Sequence, residues 1–164
     1  MNNDNLIEKK TVKKVLNNLK IFDKKLFLIT LNSTARTAED AANSLNVEVG
    51  SIVKSLLFKS VNNNLFYLCL VSGDKLISLE KFSSFLGHQI FKASAKEVKE
   101  QTGFSIGGVP PVAHAFPPNK IYIDINLQRF KKIYAAAGHP YVVFGIDFEQ
   151  LIKITKGIKL DFVE

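Results

Sequence analysis

Two apolar runs joined by a cluster of asparagines constrain this chain most. "SIVKSLLFKS" (Ser51 to Ser60) and "LFYLCLV" (Leu65 to Val71) have the length and residue types of strands, and Asn62 to Asn64 form a turn between them. Together they predict a β-hairpin. "KLFLIT" (Lys25 to Thr30), "HQIFKA", "KIYIDI", "KIYAAA" and "YVVFGI" add further strands, with the break "GHP" (Gly138 to Pro140) separating the last two.

Helices are interspersed among these strands. Leu6, Val12, Val15, Leu16 and Leu19 recur at helical spacing among lysines and asparagines, predicting an amphipathic helix from Leu6 to Ile21 that reads as an appended arm. Thr37 with Asp40 three residues on opens a helix over Ala38 to Leu45. Another spans Leu79 to Leu86 and stops at Gly87, where His88 reads as part of the cap. Ser94 with Glu97 opens a helix over Ala95 to Thr102, ended by Gly103, and Asp147 caps the last, Phe148 to Thr155. The order lacks the strict alternation of a doubly wound sheet, so the fold class is mixed α/β of the α+β kind.

At 164 residues, 46% hydrophobic and 23% charged, the chain suits one domain with a sizeable core. No apolar run approaches the roughly 20 residues that cross a bilayer, and "MNNDNLIEKK" lacks the apolar centre of a secretory signal, which points to the cytosol. Cys69 sits inside an apolar run and reads as a small buried hydrophobe, so neither a disulfide framework nor a cysteine-based metal site is expected. The net charge of +7 favours a polyanionic partner. Of the 22 Lys and Arg only Arg36 and Arg129 are arginine, a balance suited to holding phosphates rather than reading base edges.

"GFSIGGVPPVAH" (Gly103 to His114) stops regular structure abruptly. It lacks the Lys-Ser/Thr of a P-loop and the third glycine of a dinucleotide fingerprint. Gly107 and Gly108 can present unobstructed backbone N–H groups while Pro110 and Pro111 fix the chain, so the segment is either a surface turn or a loop preorganised to hold a ligand by its main chain. Lys54, which interrupts "SIVKSLLF", either lays its stem over apolar surface or stands as a cation at a cleft. His114 and His139 have the chemistry of a general base, yet neither has a neighbouring nucleophile or metal-ligand spacing. Asp124 and Asp147 stand at strand ends, where structural roles suffice.

In order and spacing, "STARTAEDAANSLNVEVGSIVKSLLF" (Ser33 to Phe58), "GFSIGGVPPVAH" and "KKIYAAAGHPYVVFGI" (Lys131 to Ile146) resemble the YbaK-like family, free-standing relatives of the editing domain inserted in bacterial prolyl-tRNA synthetases. The likeness covers about Thr30 to Thr155. It implies a curved, barrel-like mixed sheet surrounded by helices, with residues 1–164 forming one domain and residues 1–24 a helical extension. It also implies hydrolysis of the ester joining a wrongly attached amino acid to the terminal ribose of tRNA. Such proofreading is needed because one methylene is worth only about 1–3 kcal/mol in a hydrophobic pocket.

By this resemblance Lys54 contacts the terminal phosphate region of the tRNA, Ser55 is the small hydroxyl residue beside it, and Gly107, Gly108, Val109, Pro110 and Pro111 form the loop that positions the ester. His114, His139 and Asp147 are expected to shape the pocket. The family is thought to lack a side-chain nucleophile and to use a ribose hydroxyl to activate water, so no metal or cofactor is expected. Ala113 stands where many relatives have glycine. The expected partners are the aminoacylated acceptor end of tRNA and an aminoacyl-tRNA synthetase, with alanyl-tRNA(Pro) the favoured substrate. The rival expectation is a module of the same fold that holds tRNA ends or a synthetase without cleaving anything.

Overall fold

The structure, a computed structural model, describes residues 4–33 and 35–164. Among them, eight strands form one mixed sheet: β1 (Leu28–Thr30), β2 (Ile52–Ser60), β3 (Phe66–Ser72), β4 (Ile90–Lys92), β5 (Lys120–Asp124), β6 (Ile133–His139), β7 (Val142–Ile146) and β8 (Ile158–Leu160). The order is β1-β7-β6-β2-β3-β5-β8, with β4 on the same edge of β2 as β6. The predicted hairpin is present, β2 and β3 pairing antiparallel from Val53–Ser72 to Lys59–Phe66. Pairs β2–β6, β3–β5 and β5–β8 are parallel. The sheet is open, β1 and β8 being its two ends, so it does not close into a barrel.

The helices are α1 (Asp4–Ile7), α2 (Lys10–Phe22), α3 (Ala38–Leu45), α4 (Leu79–Leu86), α5 (Ala95–Thr102) and α6 (Phe148–Thr155). α3 to α6 have the bounds read from their caps, and reciprocal capping boxes open α3, α5 and α6. The first helix differs, because the chain breaks at Glu8 and Lys9. On one continuous helix Leu6 and Val12 would point about 120° apart. The break brings both into the core. Val12, Val15 and Leu19 are fully buried there with Ile133, Ala135 and Ala137 of β6, so the N-terminal segment is packed into the main core rather than held out as an arm.

Four further differences have local causes. β1 keeps only half of its expected span, since Phe27 is exposed and Leu26 turns into the core. β6 continues through the expected break: a bulge between Ala136 and His139, with Gly138 at φ +92°, carries it to His139. β8 pairs with β5 across only three residues, too short to register as an apolar run. His88 is no cap; its Nε2 is hydrogen-bonded to the Tyr67 hydroxyl at 3.0 Å. Cys69 is fully buried, as expected. No helix among the described residues is long and apolar enough to cross a membrane.

Candidate functional site

β2 creates the site by losing its neighbours. Along one edge it pairs with β6 only at Ile52–Tyr134 and Val53–Ala135, and with β4 only from Phe58–Lys92 onward. Between those pairings the sheet splits, and a cavity of about 430 Å³ occupies the gap. Lys54, Ser55 and Leu56 form one wall, Tyr134, Ala136, His139 and Pro140 the other. The start of α3, from Arg36 to Glu39, and the segment Ile106, Gly107 and Val109 complete it. Alternate side chains of β2 point to opposite faces. Lys54 and Ser55 nevertheless both line the cavity because the strand edge itself is the wall.

The Lys54 ammonium donates to the Lys75 carbonyl in the turn after β3. Burial lowers its pKa; Glu39, Asp74 and Asp124 oppose that shift, and Lys92 adds to it. Asp124, fully buried at the end of β5, accepts from the Ser72 amide at 3.1 Å and the Asn126 amide at 2.9 Å, which ties the turn to the sheet. Ser55 Oγ is buried with no hydrogen-bond partner among the described residues, so nothing there activates it as a nucleophile.

The loop residues divide by role. Gly107, at φ +92°, and Val109 face the cavity, and among the described residues no hydrogen bond takes up their amide N–H groups. Gly108 is occupied: its N–H donates to Ser105 and its carbonyl accepts from Gly138, both at 3.0 Å. A Cβ on Gly108 would lie 2.9 Å from the His139 nitrogen, so its glycine serves close approach to β6. Pro110 and Pro111 are buried and do not line the cavity, and Pro111 borders a separate hollow.

The three remaining expected residues do not converge there alike. His139 lines the cavity, and its Nδ1 accepts from the Tyr141 amide at 3.1 Å. That bond places the proton on Nε2, so the ring offers a donor rather than a base. Burial, and then Lys9, lower its pKa and favour the neutral form. His114 lies outside the cavity, where its Nε2–H donates to the Pro110 carbonyl at 2.7 Å and braces the loop from behind. Burial lowers its pKa despite that bond. Asp147 is also elsewhere: it caps α6 through the Gln150 amide at 2.8 Å and lines a separate hollow beside Lys25 and Lys132. Its signal in the sequence was the cap alone.

Sequence reasoning overlooked Arg36, Lys92, Leu76 and Ile106, which line the cavity from four different segments. Only the sheet's split brings them together. Among the described residues no cluster of three or more His, Cys, Asp or Glu could hold a metal ion.

The profile of the family described as "Aminoacyl-tRNA editing domain" matches residues 32–154, a span that contains every strand of the cavity wall. The uncharacterized protein YwhH of Bacillus subtilis is 35% identical over 106 residues, 65% of this chain and 66% of that protein. A proline--tRNA ligase of Thermosipho africanus is 42% identical over 131 residues, 79% of this chain but only 23% of the ligase. A crystal structure described as "a putative trans-editing enzyme for prolyl tRNA synthetase" superposes with TM-score 0.88 at 35% identity, covering 95% of this chain and 98% of that one. The chain belongs to the YbaK-like aminoacyl-tRNA editing domain family.

Proposed function

We propose that this protein is an aminoacyl-tRNA deacylase acting in trans in the cytosol on small, wrongly attached amino acids, with alanyl-tRNA(Pro) the favoured substrate. One observation carries the reading: Lys54, Gly107 and Val109 line a single cavity, and among the described residues the amides of Gly107 and Val109 have no hydrogen-bond acceptor. The proline tRNA in this reading is carried over from the proline--tRNA ligase and the trans-editing structure that resemble this chain, and the alanyl ester from the family resemblance.

In this reading the acylated ribose enters between β2 and β6. Lys54 holds the adjoining phosphate region as a point charge. Water adds its hydroxyl to the ester carbonyl carbon, and the Gly107 and Val109 amides donate to the developing oxyanion. The bond from that carbon to the ribose oxygen breaks, and the proton lost by water ends on that oxygen. A neighbouring ribose hydroxyl orients the water, which fits a His139 that presents an N–H and a Ser55 that lacks a base. His114 and Gly108 act through the loop, by holding its shape. Asp147 has no part in the reaction.

The test is deacylation of a panel of mischarged tRNAs, comparing the wild type with Lys54→Ala. The wild type should hydrolyse esters of small amino acids, and the variant should lose about 100-fold in kcat/KM. Tight tRNA binding with no hydrolysis of any member would instead identify a module that holds tRNA or a synthetase without cleaving. An unchanged variant would remove Lys54 from the mechanism.

A further inference from the structure

β6 reaches the cavity through a bulge that its own sheet does not fix. Between the pairs Ala136–Val143 and His139–Val142, Ala137 and Gly138 have no partner on β7, and a bulged segment without ladder partners takes its shape from what packs on it. Three contacts do so. Ala137 is fully buried in the cluster that holds Val12, Val15 and Leu19 of α2. The Thr11 carbonyl of α2 comes so close to Gly138 that a Cβ there would lie 2.9 Å from its oxygen and 3.2 Å from the ring of buried Phe104. The Gly138 amide donates to the Gly108 carbonyl at 3.0 Å, so the same residue ties the bulge to the loop that carries Gly107 and Val109. Beyond the bulge stands His139, whose pKa is lowered by burial and then by the charge of Lys9 just ahead of α2. α2 ends at Phe22 and the family profile begins at residue 32, so this helix lies outside the span that defines the domain.

We propose that α2 is a positioning element of the site: seated on Ala137 and Gly138, it holds the bulge that turns His139 into the cavity and, through the Gly138–Gly108 bond, the loop that presents the Gly107 and Val109 amides. Gly138 is the positioning residue that joins the helix to the loop. The chemistry those amides perform rests on the deacylase reading, whereas the mechanical link from α2 does not. Backbone donors stabilise an oxyanion only when held within about 3 Å of it, and a displacement of about 1 Å can cost about 100-fold in rate. A helix that loosens on Gly138 therefore lowers the rate of the chemical step before it lowers substrate binding.

Two matched truncations separate this role from plain stability. Val15→Ala opens the seam between α2 and β6, and Val163→Ala makes the same deletion in a separate cluster of buried side chains. Both should lower Tm. Measured on mischarged tRNA well below either Tm, only Val15→Ala should lower kcat, about tenfold, with KM within about twofold of wild type. A second readout needs no substrate: exchange of the Gly138 amide hydrogen, followed by NMR, should accelerate about tenfold in Val15→Ala beyond any change in Val163→Ala. Gly138→Ala should lower kcat likewise, while Gly87→Ala, strained at a similar φ but in open space, should not. The proposal is overturned if an active protein has the same kcat in the two valine variants, or if Gly138 exchange accelerates equally in both. Should wild type deacylate no mischarged tRNA while the exchange difference appears, the link from α2 to the loop stands and the deacylase reading falls. Deacylation without that difference does the reverse.

Discussion

The Arg129 guanidinium grips the Asp74 carboxylate at both ends, NH2 to Oδ1 at 2.7 Å and NH1 to Oδ2 at 3.1 Å, and lies 4.9 Å from the centre of the Phe130 ring. Its NH2 also donates to Ser72 Oγ at 2.9 Å. This clamp fixes the turn between β3 and α4 whose Lys75 carbonyl receives the Lys54 ammonium. Hydrogen bonding from Arg129 holds the Asp74 pKa at about 2. A carboxylate with a depressed pKa stabilises the fold above its unfolded value near 4, and loses that contribution as pH falls toward 2. The pair is partly exposed, so Arg129→Gln should cost only about 1 kcal/mol, a fall of about 2–4 °C in Tm. Deacylation should fall more, about tenfold, because the lysine loses its fixed acceptor. Arg129→Lys should fail to restore it, since one ammonium cannot make the two-ended contact. Melting curves and kcat/KM on one set of variants check both effects.

Lys54 should impose an alkaline limit on activity. Burial is the main cause of its lowered pKa, so the cation is lost at a lower pH than for a free lysine, and kcat/KM should decline there. Asp74→Asn removes a charge that raises this pKa and should move the limit lower still. Folding penalises the charged form of such a group; the penalty is complete below the folded pKa and fades as pH rises through it. Lys54→Met should therefore lose activity without lowering Tm at neutral pH. A pH–rate profile and a melting series on the two variants test this.

Gly108→Ala should separate close packing from backbone conformation. Its Cβ would come within 2.9 to 3.1 Å of the backbone at Gly138 and His139, pushing the loop away from β6. A loss of about 1–3 kcal/mol in stability is expected, together with deacylation. Gly87→Ala is the contrast. That position is open but has φ +76°, so the cost should be about 1 kcal/mol with activity intact. Chemical denaturation and the tRNA panel distinguish the two outcomes.

What could be read from the chain follows from the range of the physics involved. Helices α3 to α6 were legible to the residue because Thr37, Ser94 and Asp147 at their starts and Gly87 and Gly103 at their ends act within one turn. Lys54 and the Gly107 loop were legible through family resemblance, while their meeting at one cavity depends on β2 parting from β6. Arg36, Lys92, Leu76 and Ile106 gave no signal because they come from unrelated segments brought together only by that split. His114 and Asp147 were misplaced for a related reason: a histidine bracing a loop and an aspartate capping a helix look, in sequence, like residues that serve a pocket.

Ala113 carries a last consequence of the loop's shape. It adopts φ +66°, a left-handed conformation that a Cβ opposes. The loop is held there by bonds on both sides of it, from His114 to Pro110 and from the Ala115 amide to Thr102 at 2.9 Å. Alanine pays strain that glycine would not, whereas glycine adds freedom to the unfolded chain, so the two effects partly cancel. The strain is the larger, and Ala113→Gly should stabilise the protein by up to about 1 kcal/mol, raising Tm by about 2–4 °C. Because the native backbone already has the conformation glycine prefers, kcat/KM on mischarged tRNA should stay within about twofold of wild type. A lower Tm would mean that the Ala113 methyl, which packs against the main core, outweighs the backbone strain.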